Sequence, residues 1–122
     1  MKKYKLLIVD DNESILQMLE KFFERSNYEI RLAPQGYDAI KCINGGFSPD
    51  VILCDVVMPV LDGVGLANEL VKMGSKAKIV FMSGNLGIHT IKELNQFTPH
   101  LLSKPFENME SLYKLIEQVM PS

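Results

Sequence analysis

Polar side chains follow four short apolar runs of this chain directly or almost directly. Asp10 and Asp11 come after Leu6-Leu7-Ile8-Val9, Asp55 after Val51-Ile52-Leu53-Cys54, Ser83 after Ile79-Val80-Phe81-Met82, and Lys104 shortly after Leu101-Leu102. Runs of this length and composition read as strands buried on both faces. In an open parallel sheet, ligands bind in the crevice beyond the carboxyl ends of the strands, where the strand order reverses. Three carboxylates, a hydroxyl and an ammonium are therefore expected on one rim. Carboxylates gathered this closely repel one another, and a hard divalent cation with oxygen ligands relieves the repulsion. Mg²⁺ suits best, because it is content with one or two carboxylates, waters and a phosphate. With Lys104 as a point charge and Ser83 as a hydrogen-bond donor, the set describes a site for a tetrahedral dianion such as a phosphoryl group. A carboxylate there can be the nucleophile and become an aspartyl phosphate. In-line phosphoryl transfer needs mainly positioning and charge neutralisation, which these groups provide. Each residue alone has a bland explanation: Asp-Asp after a strand starts a helix, and Asp62-Gly63 is an ordinary turn. Their joint placement after four separate strands carries the weight.

The elements that would position these groups alternate along the chain. Strand runs at Leu6 to Val9, Tyr28 to Ala33, Val51 to Cys54, Ile79 to Met82 and Leu101 to Leu102 are separated by segments of helical period. Ile15, Leu19, Phe22 and Phe23 form one helical face, with Asn12 as its N-cap. Ala39, Ile40 and Ile43 mark a second helix closed by Asn44-Gly45-Gly46. Ala67, Leu70 and Val71 are the inward positions of a third, from about Val64 to Met73. Ile88, Ile91 and Leu94 give a short fourth, and Met109, Leu112, Ile116 and Val119 a last one. Five strands alternating with five helices predict an α/β fold, a parallel sheet covered on both faces. Right-handed crossovers limit it to a few doubly wound orders.

A chain of 122 residues is one domain, expected to span 1–122. It buries about two-thirds of its unfolded surface, so it needs no disulfide or structural metal. Thirteen Lys and Arg against fifteen Asp and Glu, a formal net charge of −2, argue against direct nucleic-acid binding. No apolar run reaches the ~18–20 residues that span a bilayer, and Leu6 to Val9 is too short for a signal-peptide core. The expectation is a cytoplasmic protein with no membrane partner. Cys42 and Cys54 form no C-x-x-C pair and read as structural, Cys54 as a small buried hydrophobe. His89 and His100 lack a matching ligand set and read as solvated or locally bonded. Lys2, Lys3 and Lys5 read as a solvated end, and Leu86, Ile88 and Met109 as scattered apolar residues that would at most add to a partner surface.

Val9-Asp10-Asp11, the stretch from Asp55 through Met58-Pro59 to Asp62-Gly63, Met82-Ser83-Gly84 and Lys104-Pro105-Phe106 together resemble the receiver domain of two-component response regulators. The likeness runs from the first strand to the last helix. It implies a doubly wound five-stranded sheet in the flavodoxin-like order 2-1-3-4-5. It also implies that Asp55 accepts a phosphoryl group from a histidine of a sensor histidine kinase or histidine phosphotransfer domain. Asp11 and Asp55 would ligate Mg²⁺ directly, with the backbone carbonyl of Val57, and Asp10 through a water on the ion. Ser83 and Lys104 would each meet a phosphoryl oxygen, and Gly84 would leave the acceptor open. A cis Lys104-Pro105 bond is implied as well. One position departs from the family: Leu101 and not Tyr or Phe stands three residues before the lysine, and His100 beside it faces the other way along a strand. The resemblance therefore carries over the Ser83 half of the conformational switch and not the aromatic half.

Two other functions fit the same fold. A constitutive interaction module with a vestigial pocket is favoured by Leu101 and opposed by the intact acids, Ser83 and Lys104. A flavodoxin-like electron carrier would cradle a cofactor phosphate in a Ser/Thr-rich loop after the first strand, where this chain puts Asp10-Asp11-Asn12-Glu13. The output of the switch, as a single-domain regulator or as one piece of a larger protein, is not written in these residues.

Overall fold

Why each segment takes its form is visible from burial. A computed structural model describes residues 4–58, 60–83, 92, 101–103 and 109–121. The first strand, β1 (Tyr4–Val9), has Leu6, Leu7, Ile8 and Val9 all fully buried. Leu6 and Ile8 face one core and Leu7 and Val9 the other, as the two-residue period of a strand requires. Each such side chain stabilises the fold by about 1.5–3 kcal/mol. The elements that follow are α1 (Glu13–Phe23), β2 (Tyr28–Ala33), α2 (Gly36–Asn44), β3 (Val51–Asp55), α3 (Gly63–Lys72), β4 (Lys78–Ser83), β5 (Leu101–Ser103) and α4 (Met109–Val119). The helix expected from Ile88, Ile91 and Leu94 lies outside the described residues.

Among the described residues five parallel strands form one sheet in the order β2-β1-β3-β4-β5. This is the doubly wound, flavodoxin-like α/β fold. One face is covered by α1 and α4, through Leu16, Leu19, Phe23, Leu112, Ile116 and Val119. The other is covered by α2 and α3, through Ala39, Leu66, Ala67 and Leu70. Neighbours β1 and β3 connect to opposite sides of the sheet, so the order reverses between them and leaves a crevice at their carboxyl ends.

Several local expectations hold and some need correction. Asn12 caps α1, its side-chain oxygen accepting from the Ile15 amide at 3.2 Å. The buried stripe of that helix is Leu16, Leu19 and Phe23, with Ile15 and Phe22 only half-buried. In α3 the buried residues include Leu66, Ala67 and Leu70, whereas Val71, expected inward, is 67% exposed. It lies in the last turn, about 100° around the axis from Leu70. Asp62-Gly63, read as an ordinary turn, is the N-cap and first residue of α3, Asp62 Oδ1 accepting from the Gly65 amide at 2.8 Å. Both cysteines are free; Cys54 is buried in the α2–α3 side of the core and Cys42 packs against it half-buried.

On the opposite face Phe22, Phe23 and Tyr113 pack at ring distances of 5.3–6.1 Å, and Ser26 donates to the Tyr113 hydroxyl at 2.9 Å. The Tyr28 hydroxyl beneath them is buried and has no hydrogen bond of good geometry among the described residues. Burial first, then the neighbouring Glu117 carboxylate, push its phenol well above the usual tyrosine range.

Candidate functional site

The register between β1 and β3 pairs Val9 with Cys54, so the next residues, Asp10 and Asp55, emerge side by side at the reversal point. With Asp11 they offer three carboxylate oxygens that all lie within 4.8 Å of one another. Opposite ligands of a Mg²⁺ ion bound at ~2.0–2.1 Å are about 4.2 Å apart. Oxygens at this spacing are near enough to share one such ion, directly or through a water.

The three acids differ in setting. Asp10 is wholly buried and Asp55 is 7% exposed, while Asp11 is exposed. Carboxylates are almost never buried to this degree without compensation. Part of it is local. The Asp10 amide donates to the Ala33 carbonyl of β2 at 3.1 Å, and its Oδ1 accepts from the Asn12 amide at 2.9 Å. One side chain thus closes the turn that leads into α1. The exposed Asp11 gives the cluster a solvent-facing side among the described residues.

The segment after Asp55 is held at both ends. Asp55 Oδ1 accepts from the Val57 amide at 3.3 Å. The Val56 amide donates to Met82 of β4 at 2.9 Å, and the Gly63 amide donates back to the Val56 carbonyl at 2.8 Å. Met58 is buried while Val57 is 64% exposed, so the Val57 side chain plays no part in anchoring its own backbone. Gly63 allows this closure because it has no side chain: a Cβ there would stand 2.8 Å from Val56 Cα and 3.0 Å from the Asp55 carbonyl oxygen. The sequence carries no sign of that role, since the dipeptide reads there only as a turn.

Of the residues singled out by their position after strands, Asp10, Asp11 and Asp55 are brought together. Ser83 ends β4, one residue past the Asp55–Met82 pair in the neighbouring strand. Leu101, at the position where the family commonly carries Tyr or Phe, begins β5 opposite Phe81. Gly84, Leu86, Ile88, His89, His100, Lys104 and Pro105 lie outside the described residues. No helix among the described residues is long and apolar enough to cross a membrane.

The sequence matches the response regulator receiver domain family over residues 6–117, and the chain belongs to that family. It is 28% identical over 112 residues to the Regulator of RpoS of Escherichia coli strain K12, covering 91% of this chain and 33% of that protein. It is 41% identical over 66 residues to the alkaline phosphatase synthesis transcriptional regulatory protein PhoP of Bacillus subtilis, 54% of this chain and 27% of that one. The chain thus spans a third or less of the length of these two relatives. Among solved structures, the chemotaxis response regulator CheY4 of Vibrio cholerae superposes with a TM-score of 0.86 at 28% identity, over 98% of this chain and 100% of that one. The receiver domain of the Francisella response regulator 1452 gives 0.84 at 28% identity, over 96% of both chains. Family membership leaves no ground for the electron-carrier reading.

Proposed function

We propose that residues 1–122 act as one phospho-accepting switch of a two-component relay, in the cytoplasm, with neither nucleic acid nor membrane as a direct partner. The observation that carries this is the meeting of Asp10, Asp11 and Asp55 within 4.8 Å at the reversal point of the sheet. The phosphoryl donor is a phosphohistidine of a sensor histidine kinase or a histidine phosphotransfer domain. An oxygen of Asp55 attacks the phosphorus, the P–N bond breaks, and the imidazole leaves with the electron pair. Asp11, Asp55 and the Val57 carbonyl hold Mg²⁺, and Asp10 reaches it through its hydration shell. When bound, the ion neutralises charge on the acids and on the phosphoryl oxygens. Ser83 donates a hydrogen bond to one phosphoryl oxygen and Lys104 pairs with another. The charge arriving on Asp55 biases a conformational equilibrium that a partner reads. The catalysis is confined to the domain's own phosphorylation and dephosphorylation.

A Mg²⁺ titration followed by beryllofluoride, read by amide NMR, tests the proposal. Saturable Mg²⁺ binding and a beryllofluoride response that Asp55→Asn abolishes are expected. A response that needs no Mg²⁺, or that survives Asp55→Asn, overturns it. Leu101 favours a second reading, a constitutive interaction module. That reading requires wild type and Asp11→Ala to bind Mg²⁺ equally poorly.

A further inference from the structure

Between Asp55 and α3 the backbone passes through an unfavourable conformation. Val60 has φ 70° and is 83% exposed. A β-branched residue in the left-handed region is an outlier, and such conformations persist only where the surroundings over-determine them. The exposed Val60 side chain does not hold it there. The next residue is the packed one. Leu61 is half-buried against the α2–α3 side of the core, and two glycines on two different helices close on it. A Cβ on Gly36, the first residue of α2, would stand 2.8 Å from the Leu61 carbonyl oxygen and 2.9 Å from Cδ2. A Cβ on Gly65, in the first turn of α3, would stand 2.7 Å from Leu61 Cδ1. Any other residue at Gly36 would meet Leu61 backbone, which cannot swing aside as a side chain can.

We infer that Leu61, seated between Gly36 and Gly65, is a positioning residue for the cation site. It fixes the segment carrying the Val57 carbonyl and, through it, ties α2 to the acid cluster. This rests on the proposed Mg²⁺ site. Among the described residues, the anchors of the segment from Asp55 to Gly63 include the Val56–Gly63 and Val56–Met82 hydrogen bonds, buried Met58, the Asp62 cap on Gly65, and Leu61. The Leu61 seat is made in part with Gly36 of α2, an element that contributes no ligand.

The test is calorimetric titration of the intact chain with Mg²⁺ alone, each variant first shown to be folded by urea unfolding. Leu61→Ala should weaken Mg²⁺ about tenfold, the low end of what outer-shell changes cost metal sites. Leu61→Met, which conserves volume, should restore most of the loss. Gly36→Ala keeps Leu61 and every ligand yet should weaken Mg²⁺ severalfold, while its exposed neighbour variant Tyr37→Ala should bind as wild type. Ile116→Ala, which destabilises the opposite core, should also bind as wild type. Folded Leu61→Ala and Gly36→Ala with wild-type affinity, or a loss shared equally by Ile116→Ala, overturns the positioning role and leaves the site standing. A wild-type chain that takes up no Mg²⁺ overturns the site itself, and this role with it.

Discussion

Gly63→Ala is the most direct probe of how the acid site is built. The added methyl would lie 2.8 Å from Val56 Cα, 3.0 Å from the Asp55 carbonyl oxygen and 3.3 Å from Phe81 Cε1. Carbon atoms pack best at about 3.5–4.0 Å, so the contact with Val56 is too short by roughly 0.7 Å or more. Neither partner moves easily. The Val56 backbone is bonded on one side to Met82 and on the other to the Gly63 amide, and Phe81 is fully buried. Relief requires the first turn of α3 to lift away from β3. Overpacking of this kind costs about 1–3 kcal/mol, against up to about 1 kcal/mol returned by replacing a helical glycine with alanine. The net expectation is a loss of about 1–2 kcal/mol. For a domain of this size that is a fall in Tm of roughly 4–8 °C. Urea unfolding followed by circular dichroism, with the slope unchanged, measures it. Because the methyl also presses on Asp55, Mg²⁺ affinity should fall in the variant that remains folded. A Gly63→Ala protein as stable as wild type would refute the close-approach argument.

Val60→Asn should raise stability by about 1 kcal/mol, since the left-handed conformation costs a β-branched residue about 1–2 kcal/mol and asparagine tolerates it. Val60 is so exposed that little packing is lost. A urea midpoint at or below that of wild type would contradict this. Tyr28→Phe should stabilise by about 1 kcal/mol at neutral pH by removing a buried hydroxyl that lacks a well-made hydrogen bond. The same variant should change the alkaline limb of the stability curve. Because the folded phenol titrates above its unfolded value, the stability tied to its protonated form is complete below the ordinary tyrosine pKa, near 10. It is lost progressively as pH rises beyond that toward the folded value. Wild type should therefore lose stability more steeply than Tyr28→Phe above about pH 10; parallel curves would count against the assignment.

Much of this molecule is legible in one dimension. The apolar runs ending at Val9 and Cys54 mark strands because burial on both faces demands unbroken hydrophobicity, and the acids behind them stand out because a carboxylate is costly to bury without compensation. The 3-4-3 spacing from Met109 to Val119 identifies a helix for an equally local reason, and the motif from Asp55 to Gly63 is specific enough to indicate the family. The resemblance implied the strand order, but the contacts that only the tertiary structure decided are non-local. Strand order makes β1 and β3 neighbours, and register then puts Asp10 beside Asp55; neither is encoded in the period of either strand. Val71 and Leu70 are equally apolar, but only helix placement says that Leu70 is buried and Val71 exposed. Gly36, Gly63 and Gly65 look alike in a sequence. The space each leaves is defined by a segment elsewhere in the chain, Leu61 for two of them and the backbone of Asp55 and Val56 for the third. Patterning along a chain reports which side chains avoid water, whereas close packing between segments depends on atoms that the chain brings together only after folding.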